Sequence, residues 1–336
     1  MKIILDAMSG DNAPLEILRG AIMAKREQPE NEIVLVGDEA LLKKVADGNN
    51  LSLSEFEIIP SKYTVSMEDP PLSVIHEKKD SSMGIGLKML SQNEGDAFVS
   101  AGNTGALLAG AMLIVRRLKG VGRPAIGAIL PLANPVLLLD SGANITVSEQ
   151  NLEEFALMGT VYMNKIYGVE SPRVGQANNG TEATKGLPLQ IAAFERLSAN
   201  EKINFVGNIE GKDIPFDACD VLVTDGFTGN MILKLAEGMG KMMLHTMKDL
   251  FYTNALTKFT AGLMKTKIDD LKLRFDSSEH GGAPILGVRK PVIKAHGSSD
   301  AKAIKNAIYQ ASCFVESNIN GEIEQLIESC RSKFGK

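Results

Sequence analysis

Three short apolar segments of this chain each run into a glycine-bracketed polar turn. The segments are 96–100, 136–140 and 221–224, and the turns are Gly102-Asn103-Thr104-Gly105, Ser141-Gly142-Ala143-Asn144 and Asp225-Gly226-Phe227-Thr228-Gly229-Asn230. Each segment has the length of a buried parallel strand, and each turn leads into a helical pattern. Such turns present backbone N–H groups at a helix N-terminus, where an anion is favoured. The pattern therefore predicts an α/β protein that handles phosphate or a phosphorylated group.

Ten segments are predicted as strands, and helical patterns lie between most of them. We expect strands at 2–6, 32–37, 57–59, 96–100, 125–130, 136–140, 173–177, 204–207, 221–224 and 292–295, and helices at 14–26, 82–93, 105–118, 152–167, 187–197, 231–250 and 299–319. This alternation is typical of a mostly parallel sheet covered by helices on both faces. The short gap 131–135 suits a hairpin, so part of the sheet is expected to be antiparallel. No linker divides the 336 residues, and we expect one intertwined, two-lobed catalytic domain over 1–336.

The composition argues against several classes of protein. The net charge is -5 at pH 7 and Trp is absent, so a nucleic-acid partner is not expected. Cys219, Cys313 and Cys330 lack metal-ligand spacing and are expected to be free thiols in a reducing cytosol. The chain begins with a strand rather than a signal peptide, and no apolar run reaches the ~18 residues of a spanning helix. We therefore expect a cytoplasmic protein that contacts a membrane only from outside.

Ligands of open α/β sheets bind beyond the carboxyl ends of the strands. This rule predicts that Asp6, Ser100, Asp140, Thr224 and Asp225 gather toward one edge. A purely structural turn or a helix cap is the alternative interpretation of each polar turn nearby. The turns contribute the remaining candidate substrate-binding residues of this edge: Asp11, Asn12, Gly102, Asn103, Thr104, Gly105, Asn144, Thr228 and Asn230.

Two further segments carry the candidate catalytic residues. Lys185 lies in the turn after strand 173–177 and has the reach to contact a phosphate, with an exposed turn as the alternative. Lys294 and His296 precede two serines that are expected to cap the last long helix and to offer N–H groups to an anion. These serines, and a histidine in the constrained loop before Pro284, join the candidate substrate-binding residues: Ser298, Ser299 and His280. No P-loop, Rossmann fingerprint or metal-ligand spacing is visible, so neither a metal nor a cofactor is expected.

Four of these segments together resemble the bacterial phosphate acyltransferases of phospholipid synthesis, the PlsX family. The matching motifs are Asp6-Ala7-Met8-x-Gly10-Asp11-Asn12-Ala13-Pro14, Ser100-Ala101-Gly102-Asn103-Thr104-Gly105-Ala106, Val223-Thr224-Asp225-Gly226-Phe227-Thr228-Gly229-Asn230 and Lys294-Ala295-His296-Gly297-Ser298-Ser299-Asp300-Ala301. They occur in order over nearly the whole chain. The sequence departs from the family pattern at Ser9, Ser141 and the pair Asn178-Asn179.

The resemblance implies transfer of a long-chain fatty acyl group from acyl carrier protein (ACP) to inorganic phosphate, giving acyl phosphate and free ACP. It also implies a three-layer α/β/α fold like the isocitrate and isopropylmalate dehydrogenases and phosphotransacetylase, with a mixed sheet of about ten strands. A homodimer at the membrane surface, peripherally attached, is expected, with the downstream glycerol-3-phosphate acyltransferase as a further partner. Three alternatives stay open: a phosphotransacetylase-like acyl-CoA:phosphate transferase, a metal-dependent hydroxyacid dehydrogenase of similar fold, and a non-enzymatic membrane scaffold.

The segment 231–271 is rich in apolar residues at helical spacing. We expect an amphipathic segment of two helices, separated near Thr253-Asn254 and flanked by lysines. The second helix places Leu256, Phe259 and Leu263 on one face, which predicts contact with a membrane or with an acyl chain. Burial in the core or in a dimer interface is the alternative.

Overall fold

The computed structural model describes residues 1–132, 134–251, 253, 264, 266–267 and 281–334. Its strands are β1 (Lys2–Asp6), β2 (Glu32–Gly37), β3 (Glu57–Pro60), β4 (Ala97–Ser100), β5 (Ala125–Ile126), β6 (Ala128–Leu130), β7 (Val136–Leu139), β8 (Arg173–Asn178), β9 (Asn204–Glu210), β10 (Val221–Val223), β11 (Ala283–Leu286) and β12 (Val292–Lys294). Its α-helices are α1 (Leu15–Glu27), α2 (Glu39–Gly48), α3 (Ser82–Ser91), α4 (Thr104–Gly110), α5 (Glu149–Tyr167), α6 (Pro188–Ala199), α7 (Gly226–Phe251), α8 (Ala301–Glu316) and α9 (Ile319–Phe334).

The strands form two sheets, each dominated by parallel pairs. The seven-stranded sheet has the order β3-β2-β1-β4-β12-β11-β5, and only β11 runs antiparallel to its neighbours. The five-stranded sheet has the order β6-β7-β10-β8-β9, with β6 and β7 as the antiparallel pair. The predicted mixed α/β fold and its hairpin are confirmed. The prediction of one sheet with about ten strands is wrong, because the strands divide between two sheets.

The division into two sheets occurs at Gly127, inside the segment 125–130 that was predicted as one strand. Residues before Gly127 pair with β11 in the first sheet, and residues after it pair with β7 in the second. The Gly127 N–H donates to the Pro284 carbonyl oxygen at 2.9 Å, so the crossing point is itself hydrogen-bonded. The sequence did not predict β11 because it contains Pro284, and proline is depleted in strands.

One buried apolar cluster extends across both sheets. Leu5 and Val99 of the first sheet and Leu139 and Val223 of the second are fully buried in it. Burial of such side chains contributes about 1.5–3 kcal/mol each, so this cluster favours a fixed arrangement of the two sheets. The single intertwined domain over residues 1–336 stays a prediction.

Helix α7 begins at Gly226, five residues before the predicted start at Met231. The Asp225 carboxylate accepts hydrogen bonds at 2.8 Å from both the N–H and the hydroxyl of Thr228, and these bonds fix the first turn. A Cβ atom at Gly229 would lie 1.9 Å from the Asp140 carbonyl oxygen. The prediction of a glycine-bracketed loop is therefore wrong here, because Gly229 serves close packing of the helix against β7.

Beyond its first turns, α7 leaves many apolar side chains exposed. Met231 and Leu235 are 62% and 67% exposed, and Met239, Met242 and Leu250 continue this surface. In the described part of the chain, no helix combines the length and the apolar character needed to cross a membrane. The predicted membrane-facing residues lie outside the described residues: Leu256, Phe259 and Leu263.

Candidate active site

The central strands of the seven-stranded sheet end in a cluster of polar side chains. β1, β4 and β12 are parallel neighbours, so Asp6, Ser100 and Lys294 meet at their carboxyl ends. The Ser100 hydroxyl donates to Asp6 Oδ2 at 2.7 Å and accepts from the Gly102 N–H at 3.1 Å. Asp6 Oδ1 accepts from the Met8 N–H at 3.2 Å. This relay holds the loop after β1 and the turn after β4 in fixed positions.

The loop after β1 is tied to the loop after β12. The Asp11 N–H donates to the Gly297 carbonyl oxygen at 2.8 Å. Asn12 Nδ2 donates to the carbonyl oxygens of Ser298 and Ser299 at 3.2 and 3.3 Å. α1 has no side-chain cap, so Asn12 joins two loops of the site instead of capping that helix.

The Gly102–Gly105 turn is built for close packing around Asn103. Asn103 Oδ1 accepts from the Ala106 N–H at 3.0 Å and caps α4. Its Nδ2 donates to three backbone carbonyl oxygens of the segment 66–69, at 2.9 to 3.1 Å. A Cβ atom at Gly102 would lie 2.7 Å from Met83 Cε and 2.8 Å from Ser9 Cβ, so only glycine fits. Thr104 is the exposed first residue of α4.

Lys294 is the half-buried cation of this cluster. Its ammonium group donates to the carbonyl oxygens of Ala101, at 3.4 Å, and of Ala295. Burial lowers the pKa of Lys294 to about 8, although the negative charges of Asp11 and Asp6 favour the protonated form. At neutral pH Lys294 therefore carries a positive charge that is poorly solvated and available to an anion.

His296 lies two residues beyond Lys294 and is oriented by Ser298. The Ser298 N–H donates to His296 Nδ1 at 3.2 Å, and Ser298 Oγ lies 2.9 Å from the same nitrogen. Because Nδ1 accepts the N–H, the neutral ring carries its proton on Nε2. Burial lowers the pKa of His296, and the neighbouring positive charges, first that of Lys234, lower it further. The imidazole is thus a neutral donor at pH 7.

The start of α8 differs from the prediction. Asp300, not Ser298 or Ser299, caps this helix through a 2.9 Å hydrogen bond from the Ala303 N–H. Glu16 Oε2 accepts from the Ala301 N–H at 2.9 Å. Because carboxylates already occupy these N–H groups, the helix start is not an open anion site. Ser299 is buried, and its N–H donates to the His296 carbonyl oxygen.

A second group of candidates lies at the five-stranded sheet. Asp140 follows β7 and is fully buried, and its carboxylate accepts from the backbone N–H groups of Ile126, Gly142, Ala143 and Asn144 and from Asn144 Nδ2. Burial raises its pKa, while these hydrogen bonds lower it. Thr224 is buried beside it and exchanges backbone hydrogen bonds with Leu139 and Asp140. These contacts join β5, β7 and β10 at the meeting point of the two sheets.

The remaining candidates border the second sheet. Asn230 Nδ2 donates to the Ser141 carbonyl oxygen at 3.2 Å. Lys185 is exposed in the turn after β8, and Asn178 Nδ2 donates to its carbonyl oxygen at 3.1 Å. His280 lies outside the described residues. The structure thus divides the candidates between the two sheets instead of gathering all of them at one edge.

Charged side chains of helix α7 act on the Lys294 cluster of the first sheet. Lys234 lowers the pKa values of both Lys294 and His296, and Lys241 lowers that of His296, whereas Glu237 raises it. Lys234 is ion-paired with Glu237 at 2.9 Å. No role was predicted for Lys234 from the sequence. Its place two turns into the helix that follows the Asp225 turn could have indicated a lysine near the site.

Two further kinds of catalytic group were considered among the described residues: a cluster of metal ligands and a reactive cysteine. Within the ranges that the structure describes, no three His, Cys, Asp or Glu side chains are grouped so as to hold a metal ion. Burial raises the pKa of Cys219 to about 12, and burial also raises that of Cys313. Neither thiol is poised as a thiolate nucleophile.

The fold is shared with solved structures of phosphotransacetylases. A phosphotransacetylase from Streptococcus pyogenes aligns over 98% of this chain and 94% of its own, with a TM-score of 0.62 and 16% identity. The EutD phosphotransacetylase from Staphylococcus aureus aligns over 94% of both chains, with a TM-score of 0.60 and 14% identity. At these identities the likeness shows the fold alone.

The sequence places the chain within one family. A family model described as "Fatty acid synthesis protein" matches residues 1–322, and the chain belongs to this family. A phosphate acyltransferase from Thermoanaerobacter pseudethanolicus is 44% identical over 98% of both chains. One from Caldanaerobacter subterraneus subsp. tengcongensis is 45% identical over 98% of both chains. The predicted membership and the prediction of an acyltransferase enzyme are confirmed.

Proposed function

We propose that the protein transfers a long-chain fatty acyl group from acyl-ACP to inorganic phosphate, giving acyl phosphate and free ACP for phospholipid synthesis. The observation that carries the proposal is the position of Lys294 beside His296 at the carboxyl ends of β12 and β4. A half-buried ammonium group and a neutral imidazole N–H together suit a phosphate dianion and a developing oxyanion. Relatives named phosphate acyltransferase support this assignment.

In the proposed reaction a phosphate oxygen attacks the carbonyl carbon of the thioester. The carbon–sulfur bond then breaks, and the carrier sulfur leaves as a thiolate that takes a proton from solvent. Lys294 holds and orients the phosphate, which removes much of the entropic cost of bringing it to the carbonyl. His296 donates through Nε2 to the oxyanion, a contact typically worth ~3 kcal/mol. Lys185, in the exposed turn after β8, is a further candidate for contact with the phosphate.

The proposed attack is direct and needs no cofactor or acyl-enzyme intermediate. Cys219 is buried with a raised pKa, and Cys313 is only partly accessible with a raised pKa. Because the second pKa of phosphate is near neutral, a substantial share of it is dianionic at pH 7, so a strong general base is not required. Mass spectrometry of acid-quenched enzyme during turnover tests this point. An acyl adduct on a cysteine would contradict direct attack.

The second candidate is a phosphotransacetylase-like transfer from acyl-CoA to phosphate. Its support is the fold shared with phosphotransacetylases. The deciding experiment incubates purified protein with phosphate and either palmitoyl-ACP, palmitoyl-CoA or acetyl-CoA, and traps acyl phosphate with hydroxylamine. We expect the highest kcat/KM with palmitoyl-ACP, without added metal or nucleotide. A preference for acetyl-CoA would favour the second candidate, and no acyl phosphate from any donor would contradict both.

We further propose a cytoplasmic homodimer that associates peripherally with the membrane. The exposed apolar surface of α7, formed by Met231, Leu235, Met239 and Met242, supports a contact with a second copy. The following segment, with Leu256, Phe259 and Leu263, is assigned to the membrane surface. There the acyl phosphate product would pass to the downstream glycerol-3-phosphate acyltransferase. Kinship of the fold with isocitrate and isopropylmalate dehydrogenases stays a prediction.

A further inference from the structure

A groove of about 500 Å³ lies beside the second sheet. It runs between the carboxyl ends of β8 and β9, the start of α6 and the first turns of α7. Its lining residues come from these four elements and from the loops after β8 and β9: Ala177, Asn178, Asn179, Gly186, Leu187, Gln190, Ile209, Gly211, Ile214, Thr228 and Ile232.

The chemistry of this lining points to an uncharged, apolar occupant. Among the described residues that form the groove, none carries a charge. Its base consists of Ile209 and Ile214, which are 8% and 6% exposed and belong to the buried core of the second sheet. Ile232 of α7 packs against the same core. A phosphate or another ion would find no counter-charge here, whereas an aliphatic chain would extend the core.

The rim of the groove connects it to the proposed reaction. Thr228 lines the groove and is held by the Asp225 carboxylate. Lys185 precedes the lining residue Gly186, and its carbonyl oxygen accepts from Asn178 of the groove wall. The groove therefore opens beside candidate residues of the transfer reaction. The exposed side chain of Leu187, 69% accessible, stands at its mouth.

We propose that this groove binds the fatty acyl chain of the acyl donor. The inference rests on the proposed function and adds to it the place of the chain and the residues that set its length. The aliphatic side chains of Ile209, Ile214 and Ile232 contact the chain, and the rim bearing Thr228 lies next to its thioester end. The exposed apolar face of α7 is not assigned to the acyl chain, because we assign it to the contact with a second copy.

Gly211 is a lining residue at which a side chain can be added without a clash. A Cβ atom at Gly211 would meet no atom within 4 Å, and the residue does not adopt a positive φ. Gly211→Leu thus places an isobutyl group into open space. Gly48 at the end of α2 has the same two properties and lies outside the groove, so Gly48→Leu is the matched control.

The experiment compares kcat/KM for palmitoyl-ACP and octanoyl-ACP in wild type, Gly211→Leu and Gly48→Leu. Burial of one methylene group is worth about fourfold in affinity, so displacing two or more should lower the palmitoyl-to-octanoyl ratio by about tenfold or more in Gly211→Leu. Gly48→Leu should retain the wild-type ratio. An unchanged ratio in Gly211→Leu, or an equal loss for both donors, would overturn the assignment of the acyl chain to the groove.

Photolabelling gives a readout that does not depend on turnover. ACP carrying a fatty acyl chain with a terminal diazirine is irradiated with the wild-type protein, and the labelled peptides are identified by mass spectrometry. We expect labelling of the peptides with Ile214 and Ile232, and its loss in Gly211→Leu. Labelling at Met239 or Met242 instead would overturn the proposal. If wild type makes no acyl phosphate from any donor, the proposed function fails, whereas an active wild type with either contrary result refutes the groove alone.

Discussion

The Ser100 hydroxyl donates to Asp6 Oδ2 at 2.7 Å, across the ends of the neighbouring strands β4 and β1. Both residues are fully buried. The same hydroxyl oxygen accepts from the Gly102 N–H, so one side chain connects two loops of the candidate active site. Sequence reasoning grouped Asp6 and Ser100 at one sheet edge, and the register of the strands brings them into direct contact.

Replacing Ser100 with alanine should cost both stability and turnover. Ser100→Ala leaves a buried Asp6 carboxylate oxygen and the Gly102 N–H without their partner, a loss of about 1–3 kcal/mol in the free energy of unfolding. The Gly102 turn then loses its fixed position, and we expect kcat to fall by about tenfold or more. Urea denaturation and steady-state kinetics measure the two effects. Ser91→Ala, at an exposed serine that donates to the Lys88 carbonyl oxygen, should change neither.

The pKa of Lys294 predicts the alkaline side of the pH profile. Its lowered pKa of about 8 means that the ammonium form is present below that pH and is lost as the pH rises through it. We therefore expect kcat/KM for phosphate to decline above about pH 8. Lys294→Met should lower this parameter by about 100-fold or more and remove the alkaline decline.

The control for this prediction is Lys43→Met on α2, which removes only an exposed ion pair with Glu39. Exposed pairs of this kind contribute less than about 1 kcal/mol, so its pH profile should match wild type. If the decline near pH 8 persisted in Lys294→Met, another group would be responsible for it. Lys294 would then lose its assigned role in binding phosphate.

Much of the fold followed from short-range sequence patterns, whereas the sheet division did not. Buried strands such as 2–6, 32–37 and 221–224 were predicted because a continuous apolar run between polar turns has few other stable positions. The crossing at Gly127 depends on contacts with Pro284, more than a hundred residues away. No local pattern encodes such a pairing.

The candidate site shows the same limit at the level of single side chains. The sequence correctly indicated polar residues at the ends of strands, but it did not indicate their hydrogen-bond partners. Asp140 and Asn103 illustrate this, because Asp140 accepts from the N–H of Ile126 as well as from its own turn, and Asn103 donates to the Met67 carbonyl oxygen. Similarly, the carboxylates of Asp300 and Glu16, rather than the hydroxyls of Ser298 and Ser299, accept from the first N–H groups of α8. The helix dipole favours a carboxylate at this position.

The buried Ser9 hydroxyl tests whether a group that lowers the stability of the ligand-free protein contributes to binding phosphate or the oxyanion. Its hydroxyl oxygen is buried against Gly102 and has no hydrogen-bond partner among the described residues. Ser9→Ala should therefore raise the free energy of unfolding of the ligand-free protein by up to about 1 kcal/mol. If phosphate or the oxyanion uses this hydroxyl, the KM for phosphate should increase several-fold or kcat should fall.

The matched control is Ser73→Ala, which removes another buried hydroxyl without a partner in the described part of the chain. It should give a similar change in stability with unaltered kinetics. Wild-type kinetics in Ser9→Ala would mean that the Ser9 hydroxyl is only a packing element. Chemical denaturation without phosphate, followed by kinetics over a range of phosphate concentrations, separates these outcomes.

The last prediction separates membrane contact from subunit contact. Replacing Leu256, Phe259 and Leu263 with glutamine should reduce flotation with anionic phospholipid vesicles by about tenfold or more. Each buried side chain lost from the headgroup boundary removes about 1.5–3 kcal/mol of favourable transfer. Activity on soluble palmitoyl-ACP should change much less. The measurement uses vesicle flotation, with a parallel assay of acyl phosphate formation.

A second triple variant on α7 provides the comparison. Leu235, Met239 and Met242 are exposed in the single chain, at 67%, 53% and 56%, and we assign them to the contact with a second copy. Their replacement by glutamine should shift sedimentation from dimer to monomer. In the membrane triple variant the dimer should persist, because its residues lie beyond the end of α7 at Phe251. A dimeric, active membrane triple variant that still floats with vesicles would remove the membrane assignment from this segment. Dissociation of that variant would instead place the same segment in the subunit interface, where loss of vesicle binding is only a consequence of losing the dimer.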